Sequence, residues 1–290
     1  MDFQAFQSEL GRLGRAATEL AAFGAALRAR QAETALHPDV AAPLDAAVEA
    51  LAPDTISRLD AQQVAVALRL VTLQLEQALD LFKSPERSRW EISDPAMLQA
   101  QGQASRIVPA TWEKMAAQRP ALAECLRGRF LDVGTGVAAL ALEAAHRFPD
   151  LQVTGLDIWP PALALARENV AASPFADRIE IRDQDVTLLD EPESYSLAWL
   201  PTMFMPRPVV EAAVARISGS LRPGGHIVLG LYPAPPDPAG AALHRLRVVR
   251  SGGHDWQREE LRELLRRHGF VDPEIEAQGP VVLFHFARKE

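Results

Sequence analysis

The sequence predicts an α/β protein: an all-helical N-terminal domain followed by a doubly wound, mostly parallel sheet of seven strands with an antiparallel C-terminal strand. Three observations carry that prediction. From Phe130 onward, short apolar runs alternate with helical stretches, the pattern of βαβ units joined by right-handed crossovers. The first run ends in two close glycines, Gly134 and Gly136, that open an alanine-rich helix. Before residue 125, apolar residues recur at three- and four-residue spacing between proline-marked breaks, which is helical periodicity.

In the predicted helical domain, residues 1–125, Phe3, Phe6, Leu10, Leu13, Ala17, Leu20, Gly24 and Leu27 form a heptad seam. Such a seam suits a helix packed within its own domain or one shared across a homodimer. Pro38, Pro43 and Pro53 punctuate the next stretch, and Asp54 or Thr55 is the expected cap of the next long helix. That helix carries apolar residues on several faces, among them Val64, Leu68, Val71 and Leu75, so it belongs at the domain centre. A break at Pro85 precedes another helix, which Ser93 or Asp94 can cap with Pro95 in its first turn.

The second domain, residues 126–290, has strand cores "RFLDVG", "QVTGLDI", "RIEIRD", "SLAWLP" and "HIVLGLY". Helices are expected over Ala138–Arg147, Pro161–Ala172, Pro208–Ser220 and Gln257–His268, the last with Asp255 as N-cap. "YPAPPDPAG" reads as a stiff loop. "FVDPEIEA" and "VVLFHFAR" flank Gly279-Pro280 and form an antiparallel hairpin at the sheet edge.

Composition narrows the function. The chain is ordinary globular material, 48% hydrophobic and 23% charged, with net charge −8, so no bulk positive field invites nucleic acid. One cysteine, Cys125, rules out an intrachain disulfide and a cysteine-rich metal site, and the histidines are scattered. No metal is expected. The N-terminus lacks the apolar core of a signal peptide, and charged or polar residues interrupt the longest apolar stretch. A cytoplasmic protein without a membrane partner is therefore expected.

A parallel sheet binds ligands beyond the carboxyl ends of its strands, where strand order reverses, and glycine lets backbone approach a ligand closely. Gly134 and Gly136 stand at such a place, and Asp157 closes the second strand where it can accept hydrogen bonds from ribose hydroxyls. Gly134-x-Gly136-x-x-Ala139 also fits a dinucleotide fingerprint, so a nicotinamide-dependent oxidoreductase is one reading of the turn. Asp132 disfavours it: a carboxylate there repels a phosphate but suits a cationic ligand.

Asp132-Val-Gly134-Thr-Gly136 resembles the first motif of class I S-adenosylmethionine (SAM)-dependent methyltransferases, with Ala138 in place of the third glycine. "VTGLDIWPPALALAREN", "RIEIRDQDV", "LRPGGHIVL" and the helix before the final strands resemble that family in order, from Phe130 to Lys289. The resemblance implies a Rossmann-like fold and a SAM site built from Asp132, Gly134, Thr135, Gly136, Asp157, Ile158, Gln184, Asp185, Val186 and Leu200, with S-adenosylhomocysteine (SAH) as product. In it Asp157 takes the ribose and Asp185 the adenine amino group. A SAM-binding protein that does not methylate has the same signature.

The acceptor side is read from chemistry. "WLPTMFMPRP" lacks the Asn/Asp-Pro-Pro-aromatic motif with which amino methyltransferases hold adenine or glutamine amides. Met203 and Phe204 suggest an apolar acceptor pocket with adaptable walls. Trp90, Met97 and Gln101, with Glu91 and Ser105, are lid candidates, and His254 and Tyr232 are candidate catalytic groups. The expected activity is methyl transfer to a small, fairly apolar metabolite of secondary metabolism, on oxygen, nitrogen or carbon. The N-terminal helices are expected to act as lid and dimer surface.

Overall fold

The computed structural model describes residues 2–32, 36–278 and 282–290. They divide into two compact units, Met1–Pro85 and Glu86–Glu290. The first consists of α1 (Phe3–Ala32), α2 (Pro38–Leu51), α3 (Thr55–Arg58) and α4 (Ala61–Lys83). Gly24 lets α1 lie close to α4, for a Cβ there would stand 3.0 Å from Val71 Cγ1. Neither Asp54 nor Thr55 caps the long helix. Asp60 does, in a reciprocal box with Gln63; Asp54 instead sits at φ 56° with its carboxylate on Arg58. The D-x-x-Q spacing at Asp60 is the stronger start signal because it satisfies two orphan N–H groups at once.

The second unit begins with α5 (Pro95–Ser105), α6 (Ile107–Ala116) and α7 (Pro120–Cys125). Asp94 caps α5, accepting from Met97 N at 2.8 Å. These helices were expected in the helical domain, with a boundary at 125/126, whereas the compact units part at Pro85/Glu86. The reason is packing. Val108, Trp112, Met115 and Leu122 are buried in the cluster that contains Phe130, Val153, Leu197 and Trp199 of the strands, and Trp112 meets Phe130 edge-on at 5.2 Å.

The strands are β1 (Arg129–Val133), β2 (Gln152–Asp157), β3 (Ile179–Asp183), β4 (Tyr195–Pro201), β5 (Leu221–Leu231), β6 (Phe270–Gln278) and β7 (Val282–Lys289). Between them run α8 (Ala139–Arg147), α9 (Pro160–Ala171), α10 (Arg207–Ser220), α11 (Pro238–Arg250) and α12 (Arg258–Arg267). Sheet order is β3-β2-β1-β4-β5-β7-β6, with β7 antiparallel to β5 and β6. The edge hairpin is as expected, and its Gly279-Pro280 turn lies outside the described residues. Strand order reverses between β1 and β4, which puts the ligand crevice at their carboxyl ends.

Two local expectations give way here. The stretch after "YPAPP" is not all loop: Asp237 caps α11, accepting from Gly240 N at 2.8 Å, with Pro238 at the first helical position. Asp255 does not cap α12. Gln257 does, in a reciprocal box with Glu260, and Asp255 turns to His244.

Candidate functional site

At the end of β1, Asp132 is 1% exposed, and its carboxylate accepts from the Thr135 hydroxyl at 2.8 Å. The chain then turns through Gly134 at φ 66° and Gly136 at φ 57°, while Ala138 holds φ 62° in the position of the missing third glycine. An L-residue there is strained by roughly 1–2 kcal/mol. Thr135 N donates to Leu156 O at 2.9 Å, fastening the turn to β2.

Asp157 closes the turn from β2. One carboxylate oxygen accepts from Gly136 N at 2.8 Å; the other accepts from Ile158 N at 2.8 Å and Trp159 N at 2.9 Å. A carboxylate has about four acceptor positions, so Asp157 keeps room for about one further hydroxyl, where the family resemblance implied a ribose acceptor. Burial pushes the Asp132 carboxyl up to about 7, with Asp157 adding to the rise and Thr135 opposing it. Burial also raises Asp157, against the three backbone N–H groups. A buried carboxyl, Asp132, and a half-buried one, Asp157, share one turn, and that arrangement favours a cationic occupant.

The other expected cofactor residues separate into two sets. Ile158 projects an apolar side chain to solvent, 65% exposed, beside Asp157. Gln184 N donates to Asp157 O at 3.0 Å, and Asp185 accepts from Thr187 N at 2.8 Å. Val186 and Leu200, by contrast, are buried in the main hydrophobic cluster with Leu131 and Val210. Their side chains serve the core.

At the end of β4, a Cβ on Gly134 would lie 3.3 Å from both Pro201 Cγ and Met205 Cε, so the glycine turn abuts the segment that leads to the expected acceptor residues. There Phe204 meets Trp90 edge-on at 5.2 Å and Tyr232 at 5.9 Å. Met203 and Tyr232 are buried together with Val248. Gln101 and Ser251 interact with Tyr232, whose hydroxyl is raised by burial and drawn back by Arg247 and by these two residues. A buried phenol of that kind donates a hydrogen bond at neutral pH.

The structure thus assembles Trp90, Gln101, Met203, Phe204 and Tyr232. Met97 packs against the cluster of Ile92, Leu98 and Val137, which Trp90 also touches. His254 stacks edge-on with Trp256 at 5.0 Å, and Trp256 belongs to the main core cluster. Glu91 pairs with Arg89, and Ser105 donates to Gly102 O at 2.7 Å.

Two features of α11 went unread in the sequence. Arg247 places its guanidinium 3.9 Å from the Tyr232 ring centroid, and His244 Nε2 lies 3.1 Å from Asp255 Oδ1. The Asp237-Pro238 start signal would have revealed the helix that carries both. Among the described residues, no group of three or more His, Cys, Asp or Glu is placed to hold a metal, and no helix is long and apolar enough to cross a membrane.

Residues 130–225 match the family described as Methyltransferase domain. The tRNA1(Val) (adenine(37)-N6)-methyltransferase of Porphyromonas gingivalis is 52% identical over 56 residues, 19% of this chain and 22% of that one. The demethylmenaquinone methyltransferase of Thermus thermophilus is 30% identical over 123 residues, 42% of this chain and 55% of that one. The chain therefore spans between about a fifth and about half of the length of these curated relatives. Human N-acetylserotonin methyltransferase, solved in complex with SAM, shares the fold at TM-score 0.64 and 18% identity, covering 99% of this chain and 98% of that one.

Proposed function

We propose that this chain, which belongs with the class I SAM-dependent methyltransferases through its residues 130–225, transfers a methyl group from SAM to a small, fairly apolar metabolite. The observation that carries the reading is the pair of carboxyls, buried Asp132 and half-buried Asp157, around one glycine turn. The residues fit SAM. Gly136 faces open space, with only Gly134 O at 4.0 Å from the place of a Cβ, and Ile158 offers an apolar face to a purine.

When bound, SAM supplies an electrophilic methyl group on a positively charged sulfur. The chain's own part is positioning: Asp132 complements positive charge, Asp157 takes a hydroxyl, and Trp90, Met203 and Phe204 exclude water from an apolar acceptor. Tyr232, protonated at neutral pH, orients the acceptor by donating a hydrogen bond. His254, held against Trp256, has no role in this proposal.

Several features favour a small molecule over RNA, although tRNA methyltransferases are among the relatives. Net charge is −8, and β4 runs into Leu200-Pro201-Thr202-Met203 where amino methyltransferases of nucleobases carry their Pro-Pro-aromatic motif. A nicotinamide cofactor would set its pyrophosphate beside Asp132. Calorimetric titration with SAM, SAH and NADH is the test: micromolar binding of SAM is expected. Tight NADH binding without response to SAM would sink the proposal.

The proposal extends to a cytoplasmic homodimer formed through α1. Phe3, Phe6, Leu10 and Leu13 are each about half exposed or more. Farther along, Ala21, Gly24, Ala25, Ala29 and Ala32 line a groove of about 440 Å³ with residues of α4. Two antiparallel copies of α1 would lay each large-residue half on the other's small-residue half, a self-complementary contact of the kind a two-fold axis requires.

A further inference from the structure

Among the described residues, nothing of opposite charge answers Arg247. Its guanidinium lies over the Tyr232 ring, its Nε is shielded from solvent without a hydrogen-bond partner, and no ion pair among those residues includes it. The acids of its own stretch are committed elsewhere: Asp237 to Gly240 N, Asp255 to His244, Glu259 to Arg262, and Glu260 to Arg207 and Gln257 N.

The surroundings are built rather than incidental. After α11 the chain turns at Gly252, φ 77°, and Gly253 approaches so closely that a Cβ would fall 2.2 Å from Met203 O. That approach presses the end of α11 onto the segment after β4. Ser251 donates its hydroxyl to Arg247 O at 2.9 Å. The guanidinium therefore stands at the aromatic cluster of Trp90, Phe204 and Tyr232, next to a phenol that donates. A fixed guanidinium fork matches a carboxylate in two parallel hydrogen bonds, which an ammonium does not.

We propose that Arg247, with Tyr232 and Gln101, is the subsite that receives an anionic group of the acceptor, so that the substrate is an aryl or otherwise apolar carboxylate. The apolar body rests among Trp90, Met203 and Phe204 while its carboxylate meets the Arg247 fork. This inference deepens the methyltransferase reading and rests on it for the fate of the occupant; binding of the carboxylate does not.

The probes are benzoate, phenylacetate and cinnamate, each beside its primary amide, titrated calorimetrically into the full chain with and without SAH. At least one carboxylate is expected to bind tenfold or more tightly than its amide. Arg247→Met should erase that preference while leaving SAH affinity unchanged, and Arg247→Lys should retain part of it. Equal binding of acids and amides to the wild-type protein overturns the inference, as does binding of neither. So does a preference that survives in Arg247→Met. The wild-type comparison stands even if a variant misfolds. Failure of the methyltransferase reading has a separate signature, the absence of SAM and SAH binding.

Discussion

At pH 8 about a tenth of Asp132 is protonated and at pH 6 about nine tenths, because burial holds its carboxyl at about 7 in the folded protein. A cationic ligand beside it prefers the ionised form, so binding must expel the proton. The apparent dissociation constant for SAM should then be roughly tenfold larger at pH 6 than at pH 8. Proton release on binding should be largest near pH 6. Titration in two buffers of different ionisation enthalpy measures both quantities, and the ratio of wild type to Asp132→Asn cancels the ligand's own titration. Stability gives a second reading of the same group. Its folded value lies above the ordinary 3.8, so the folded protein holds its proton longer than the unfolded chain. The contribution of this group to stability is therefore greatest at low pH and falls as pH rises from about 4 to 7. Between pH 5 and pH 8 the wild type should lose about 3 kcal/mol relative to Asp132→Asn, as read by urea unfolding. An equal pH dependence of stability and of binding in wild type and variant would refute the reasoning.

Asp157→Ala removes the acceptor of three backbone N–H groups as well as a ligand contact, so SAM affinity should fall by roughly 1–3 kcal/mol, with a lowered melting temperature; unchanged calorimetric affinity removes Asp157 from the site. Trp112→Ala, at a fully buried position against Phe130 and Trp199, should cost about 3–5 kcal/mol in urea unfolding, the signature of a helix that belongs to the sheet unit. Leu10→Glu combined with Leu13→Glu should convert a dimer to a monomer in sedimentation velocity without changing SAM affinity, and a wild-type protein that sediments as a monomer removes α1 as a dimer surface.

The parts of this protein that could be read in the sequence are those whose chemistry is local. Strands β1, β2, β4 and β5 show as apolar runs because a strand buried on both faces needs no partner's help to declare itself. The cofactor turn is equally local: Asp132, Gly134 and Gly136 lie within five residues, and Asp157 ends the next strand, so spacing alone predicts that they meet. What spacing does not supply is environment. Nothing in "RFLDVG" says that Asp132 is sealed from water or that its carboxyl therefore titrates near neutrality, and nothing in "WLPT" says that Leu200 faces the core. The boundary at 125 failed for a related reason, since α5 to α7 have helical periodicity whichever layer their apolar faces cover.

The proposed acceptor side resists sequence reading for a stronger reason. Its residues come from Trp90, α5, the segment after β4, the end of β5 and α11, and a side chain enters that set only through the register of its helix. Reading the proline-rich segment after Tyr232 as loop hid α11, and with it the i, i+3 pair His244 and Arg247. Once Asp237 is seen to cap a helix, one turn of register decides that His244 faces Asp255 and Arg247 faces the Tyr232 ring. The proposed cofactor grip sets two carboxylates, Asp132 and Asp157, around one glycine turn, so it follows from local spacing. The proposed acceptor grip is built from side chains of distant segments, so on that proposal a one-residue change in the register of α11 should change the acceptor while leaving SAM affinity unchanged.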